Sequence, residues 1–313
     1  MKMLNRIFLV ILCASTLSAN NTWAAYTAAK APFSISVNNR LITHDISFIS
    51  VLPKETVVIT SAEKTENLSI NLDGNSLALN NGQLKWIAPP QPEQKQFTLL
   101  NKATNATITL HVFILHPAKS VVNGKLNGYT IGSYPPPLKG LNSYKAPQGF
   151  IEVTKANKDT LISPHFTLGQ FLCKQASGYP KYVVLNPLLL EKLELLLEEV
   201  NAAGIKASSF HVMSGYRTPH YNKAIGNVPS SRHVYGGAAD IFVDSQPQDQ
   251  KMDDINKDGK INIDDAKMLY AIADKLPKKT GRKPLIGGVG LYKSTAAHGP
   301  FVHVDVRGTR ARW

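Results

Sequence analysis

The stretch "NPLLLEKLELLLEEVNAAG", residues 186–204, decides the class of the C-terminal half of the chain. Asn186 is a good N-cap, Pro187 suits the first helical position, leucines recur on one face, and Gly204 can end the helix. Strands follow it: "SSFHVMSGYR" (208–217) running into a loop, "ADIFVD" (239–244), "GVGLY" (288–292) and "FVHVDVRG" (301–308). Strands after a long helix, without regular alternation, predict an α+β domain with a mainly antiparallel sheet. Just upstream, "SPHFTLGQFL" (163–172) carries a helix-start pattern of Ser or Thr before apolar residues.

Toward the N-terminus the character changes. Residues 25–118 read as short alternating stretches, "SISVNN", "ISFISVL", "TVVITSA", "LSINLDG" and "ITLHVFIL", broken by Asn, Gly, Pro and Lys. Their length and spacing predict a small all-β, sandwich-like domain. Residues 119–150, rich in Gly, Pro, Asn and Tyr, read as a connector with one hairpin in "KLNGYTIG" and a stiff run of three prolines. The α+β domain is then expected over 151–313. Residues 1–24 have a basic start, an apolar run too short to span a bilayer, and small residues before Ala24, which is the layout of a signal peptide. The chain is thus expected to be exported, periplasmic or secreted, with no membrane span after cleavage. Cleavage would remove Cys13 and leave Cys173 alone, so no intramolecular disulfide is expected and metals become the natural staples.

The formal net charge of +13 favours an acidic partner. Export counts against nucleic acid and favours envelope components.

Within the C-terminal half, "SSRHVYGGAADIFVD" (230–244) sets His233 and Asp240 seven positions apart with small residues between them. One reading is a tight turn into a buried strand, with His233 on the surface and Asp240 at the strand's start. The other is a metal site. A catalytic zinc centre takes three ligands from His, Asp, Glu or Cys and keeps one position open. Gly236 and Gly237 permit a sharp return, Ala238 and Ala239 leave room for an ion, and His303 in "FVHVD" is the candidate third ligand, with Val302 and Val304 facing away.

Taken together, "SGYRTPHYN" (214–222), "SRHVYGGAAD" (231–240) and "HGPFVHVD" (298–305) resemble the zinc D-alanyl-D-alanine carboxypeptidases and murein endopeptidases, whose fold is shared with hedgehog signalling domains. Their pattern of S-x-H, six residues, D and a distant His matches Ser231, His233, Asp240 and His303. The resemblance spans about residues 160–313. It implies zinc on His233, Asp240 and His303, and an arginine for the substrate carbonyl and its developing oxyanion, a place Arg217 occupies. Many members carry Glu three residues before the last histidine as general base; Pro300 stands there, so that assignment fails. Another branch places a histidine five residues before it, as His298 is, giving a candidate acid or base. Ser231 and Asp305 are expected beside the ligands or the substrate, Asp305 holding a ligand's second nitrogen or a substrate amine.

A second metal signal is independent. "DINKDGKINIDD" (254–265) has the spacing of a calcium loop, with oxygens from Asp254, Asn256 and Asp258, a turn at Gly259, the carbonyl of Lys260, and Asp265 in place of the usual Glu. It resembles the loops of dockerin modules and is expected to form a stiffening calcium insertion over 249–278, bordering the cleft.

These residues point to a zinc peptidase hydrolysing peptidoglycan stem peptides or crosslinks next to D-amino acids. The alternative is a non-catalytic zinc-containing protein that binds the cell wall.

Overall fold

The computed structural model describes residues 26–313; the leader-like residues 1–24 and Cys13 lie outside them. Residues 35–114 form two facing sheets. One has the strand order Arg40–Leu41, Ile35–Val37, Thr56–Ser61, Gln83–Ile87; the other runs Ile46–Val51, Ala106–Ile114, Gln94–Asn101, Leu68–Leu72, Asn75–Leu77. Period-two alternation drives this pairing: Ile108, Leu110 and Val112 point between the sheets and are fully buried with Val57, Ile59, Ile70, Phe97 and Leu99. One pair, Ile46–Val51 with Ala106–Ile114, is parallel. On the outer face of that pair, Phe48 and Phe113 meet edge to face and join the core of the following domain.

The Gly- and Pro-rich segment is packed. Lys125–Leu126 and Tyr129–Thr130 make its hairpin, the Tyr134 hydroxyl lies 2.8 Å from that of Tyr216, and Tyr144 is buried against Val234 and Tyr235.

In the C-terminal domain α1 (Pro187–Ala202) starts as its sequence dictates: the Asn186 side chain accepts the Leu188 N–H at 3.0 Å, and Pro187 opens the helix. Gly204, at φ 83°, follows its end. Leu189, Leu193, Leu196, Leu197 and Val200 are fully buried, each contributing about 1.5–3 kcal/mol by transfer. The helix is buried on more than its leucine face, and its charged residues have dedicated partners. Glu194 accepts the His165 N–H and faces His165 Nδ1, and Lys192 Nζ donates to the Asp305 carbonyl at 2.7 Å. The stretch 163–172 makes only a 3-10 turn, Leu168–Phe171, after a short strand.

The central sheet has the strand order His211–Ser214, Ala238–Phe242, Phe301–Asp305, Gly288–Tyr292, Ala311–Arg312. Its pairs are antiparallel except the last. With α2 the short helix Pro219–Ala224, Val302, Val304, Ala239 and Ile241 face the helices α1 and α3 (Ile263–Thr280) and are fully buried. Ala239 is therefore small for helix packing; Ala238 alone of the two alanines shares a strand face with Asp240.

The segment 249–278, expected to border the cleft, lies instead behind the sheet. Helix α3 continues to Thr280, and its Ala266, Leu269, Ala273 and Leu276 are fully buried in the main core behind the sheet. Its first turn is held by a capping box in which Asn262 and Asp265 each accept the other's backbone N–H region. This layer is integral to the domain, and none of its residues lines the cleft in front of the sheet. Among the described residues, no helix is long and apolar enough to cross a membrane.

Candidate metal centre

Two neighbouring strands and one turn bring the trio together. Asp240 and His303 are register partners on adjacent strands. His233 comes from the 3-10 turn Arg232–Tyr235, which ends at Gly236 in the left-handed region at φ 63°. A Cβ on Gly236 would sit 2.2 Å from the Val184 carbonyl oxygen, so the return that aims His233 at the sheet admits only glycine.

Among the described residues, His233, Asp240 and His303 are the group of such side chains able to hold a metal ion, and all three are buried. His233 Nε2 lies 3.2 Å from Asp240 Oδ1, His303 Nδ1 lies 2.9 Å from the same oxygen, and the two nitrogens are 3.2 Å apart. Bonds of about 2.0–2.2 Å at a tetrahedral ion put ligand atoms roughly 3.3 Å apart, so the three atoms already stand at near-coordinating separation.

The outward atoms of each ligand are engaged by the protein. His233 Nδ1 is 2.7 Å from the Gly215 carbonyl. A carbonyl only accepts, so Nδ1 carries the proton and the Nε2 lone pair faces inward. His303 Nε2 is 3.1 Å from Asp305 Oδ2, which turns the Nδ1 lone pair inward. Asp240 Oδ2 accepts from Arg217 Nη2 at 2.5 Å, leaving Oδ1 for the centre. The donor set thus fits a three-ligand ion such as zinc.

The electrostatics agree. Burial pushes His233 down from its ordinary value, keeping it neutral. Burial also works against the Asp240 charge, but His233 and His303 hold its carboxyl well below the usual range. Burial works against a charge on His303, but its hydrogen bonds to the carboxylates of Asp240 and Asp305 outweigh it and push it up, so an arriving cation competes with a proton there.

The other expected residues divide. Arg217 faces the cleft, but its Nη2 is spent on Asp240 and its Nε donates to Ser214 Oγ at 2.8 Å. Asp305 is fully buried and takes bonds from Gly288 N–H and the Arg307 fork, so it serves His303 and is closed to a substrate amine. Burial works against its charge, but the bonds from His303, Arg307 and Gly288 hold its carboxyl well below the usual range. His298 and Ser231 line the same ≈ 880 Å³ cleft as the three ligands. His298 Nδ1 is 2.8 Å from the Gly299 carbonyl, so its basic nitrogen is Nε2. Its ring stands edge-on to Phe301 at 5.0 Å.

The loop 254–265 holds its carboxylates in local bonds. Asp254 accepts from Asp258 and Gly259 N–H, Asn256 and Asp258 accept from Asp258 and Lys260 N–H, and the buried Asp265 accepts from Ile255, Asn256 and Asn262 N–H.

Sequence reasoning missed three walls of the cleft. Trp313 stands 5.2 Å from the His303 ring and donates its indole N–H to the Tyr292 hydroxyl at 2.7 Å. Tyr144 comes from the connector, and Arg232 lies between Ser231 and His233. Only Arg232 had a signal in the motif itself.

The family model described as Peptidase M15 matches residues 164–261, which hold Arg217, His233 and Asp240, and it bears out the resemblance to zinc D-alanyl-D-alanine carboxypeptidases for that segment. His303 and His298 lie beyond it and reach the site through the sheet. The match carries no sign of a dockerin-like module at 254–265. No curated protein matches the chain. Among solved structures, fibronectin(III)-like modules of CbhA from Clostridium thermocellum align with 22% of this chain and 87% of theirs, at 15% identity and a TM-score of 0.17.

Proposed function

We propose, taking as premise the peptidase character that the Peptidase M15 match gives residues 164–261, that the chain is a zinc metallopeptidase acting on peptidoglycan peptides next to D-amino acids. The observation that carries this reading is the convergence of His233 Nε2, Asp240 Oδ1 and His303 Nδ1 at the floor of an open cleft, each fixed from behind. When bound, zinc supplies a Lewis acid that polarises a carbonyl and lowers the pKa of water.

The chain's own residues do the rest. Gly215 and Asp305 fix the tautomers of the two histidines. Arg217 holds Asp240 to one-oxygen coordination and leaves guanidinium N–H groups beside the centre, where they support a developing oxyanion. His298 Nε2 takes or gives a proton at the open side of the cleft. Pro300 has no such capacity, which leaves His298 as the residue for that role. Ligands on two adjacent antiparallel strands with helices behind them support a hedgehog/DD-peptidase type of fold for 151–313. The sandwich at 25–118 would position the enzyme on its wall substrate, and the apolar leader would export it.

The test is incubation of the purified protein with peptidoglycan fragments, with and without a zinc chelator, followed by mass analysis. Chelator-sensitive loss of a terminal D-alanine or cleavage of a crosslink is expected. No mass change in the presence of zinc would favour the non-catalytic wall-binding alternative. Calcium at Asp254, Asn256, Asp258, Lys260 and Asp265 is a lesser proposal, supported by the spacing of these residues on one loop that turns at Gly259, φ 81°. Excess calcium is then expected to raise the melting temperature of chelated protein, and an unchanged melt removes it.

A further inference from the structure

Two loop tips border the mouth of the cleft, and they repeat one pattern. The first, residues 136–142, carries Leu138, Lys139 and Leu141; the second, 223–229, carries Lys223, Ile225 and Val228. Every residue of both tips is exposed. Their four large aliphatic side chains are between 42 and 65 % exposed, and Leu138, Ile225 and Val228 line the same cleft, so the tips are neighbours. Both are braced. Three prolines lead into the first, where the Gly140 and Leu141 N–H groups donate back to the Pro137 and Leu138 carbonyls at 3.0 and 3.1 Å. In the second, the buried Asn222 side chain donates to the Val228 carbonyl at 2.9 Å, and the Ser231 N–H donates to the same oxygen at 3.0 Å. Single exposed apolar residues are ordinary, but four held in water on two braced neighbouring tips mark a contact surface.

The charge around them has one sign. Residues 94–151 and 200–239, which contain both tips, hold no Asp or Glu, while Lys139, Lys145 and Lys223 are exposed. Among the described residues, Asp240 is the acidic side chain that lines the cleft, and it is paired with Arg217. We infer that this face docks on an anionic lipid surface, with Leu138, Leu141, Ile225 and Val228 among the headgroups and the three lysines over the phosphates. Lipid fits better than a protein partner, because the apolar groups sit on two separate tips beside a cleft instead of one continuous face. A fluid interface receives such tips without matched shape. A soluble polyanion would use the lysines and leave the aliphatic groups in water. Docking of this kind turns the cleft toward the lipid surface with no segment crossing it, and it does not depend on the peptidase reading.

The test is cosedimentation of the full-length protein with vesicles of phosphatidylcholine alone and of equal parts phosphatidylcholine and phosphatidylglycerol. Two double variants accompany it, Lys139→Gln with Lys223→Gln and Leu138→Ser with Val228→Ser; all substituted side chains are exposed, and all proteins keep residues 1–24. The unaltered protein is expected to bind the anionic vesicles at least about tenfold more tightly than the neutral ones. Each lysine near such a surface contributes about fivefold, so the lysine pair is expected to weaken anionic binding by about 25-fold. The serine pair is expected to weaken it by about tenfold or more. Should the leader alone hold the chain on vesicles, Val228→Trp still decides: its added emission is expected to shift to the blue on anionic vesicles and to be quenched by brominated lipid chains. Binding that neither pair alters, with no Val228→Trp shift, overturns the inference. Loss with the lysine pair alone, matched by equal loss of binding to soluble polyphosphate, makes the face a polyanion site and overturns the lipid assignment. Self-association without vesicles that the serine pair abolishes makes it a contact between copies and overturns it as well.

Discussion

Half-buried Arg217 in the cleft wall and buried Asp240 form an ion pair beside the metal centre, with Nη2 2.5 Å from Oδ2 while Oδ1 faces both histidines. One carboxylate thus serves two cations from opposite edges, so the arginine sets which oxygen is offered to the ion.

Arg217→Gln is therefore expected to weaken zinc binding by about 10–100-fold, the usual effect of losing a partner behind a ligand. Competition against a chromophoric chelator measures this. Affinity within twofold of the unaltered protein would show that Asp240 needs no such support.

His298→Gln is expected to retain one zinc per chain and to lose turnover by about 10²–10⁴-fold. Metal analysis and steady-state kinetics on the same preparation separate binding from proton transfer. Undiminished kcat would remove His298 from the reaction.

Gly236→Ala forces a side chain into the left-handed region, at about 1–2 kcal/mol, and into the Val184 carbonyl. The urea midpoint is expected to fall accordingly, with zinc affinity falling too because His233 hangs from this turn. A midpoint that does not move would mean the turn can relax.

Lys192 gives a pH signature. Burial pushes its ammonium down from 10.5 to about 8, only partly offset by Asp305. The unfolded chain then holds this proton more tightly than the folded one, so stability rises as pH increases from about 8 toward 10.5. Lys192→Met, which cannot bind the proton in either state, is expected to lack this rise. Parallel stability–pH curves for the two proteins from urea unfolding would contradict the assignment.

Much of this was legible in the chain. The Asn186–Pro187 start and leucine period of α1 are local signals, and period-two alternation announced the strands that became the sandwich. His233, Asp240 and His303 were legible because ligand types, glycines and strand pattern coincide. What stayed hidden depends on tertiary contacts. Nothing in "INIDDAKMLYAIADKL" says that its apolar face lies under the central sheet, so a helix expected to border the cleft packs behind it instead. The seat of Trp313 against His303 needs the parallel pairing of Ala311–Arg312 with Gly288–Val289, a long-range relation no local pattern encodes. The bond from the Gly288 N–H to Asp305 likewise needs the neighbouring strand, whereas the Arg307 fork is only two residues away.

The hydroxyl contact between Tyr134 and Tyr216, with Tyr144 seated on Tyr235 and Arg232, bears on how the chain can be dissected. A fragment cut at residue 151 would keep every metal ligand yet strip one wall from the cleft and uncover the guanidinium and two phenol rings beneath it. Phe48 and Phe113 add a second seam, because they complete the same core from the sandwich side. The two halves thus share apolar surface, and an excised C-terminal domain would need its boundary upstream of the tyrosine segment together with polar replacements along the exposed seam.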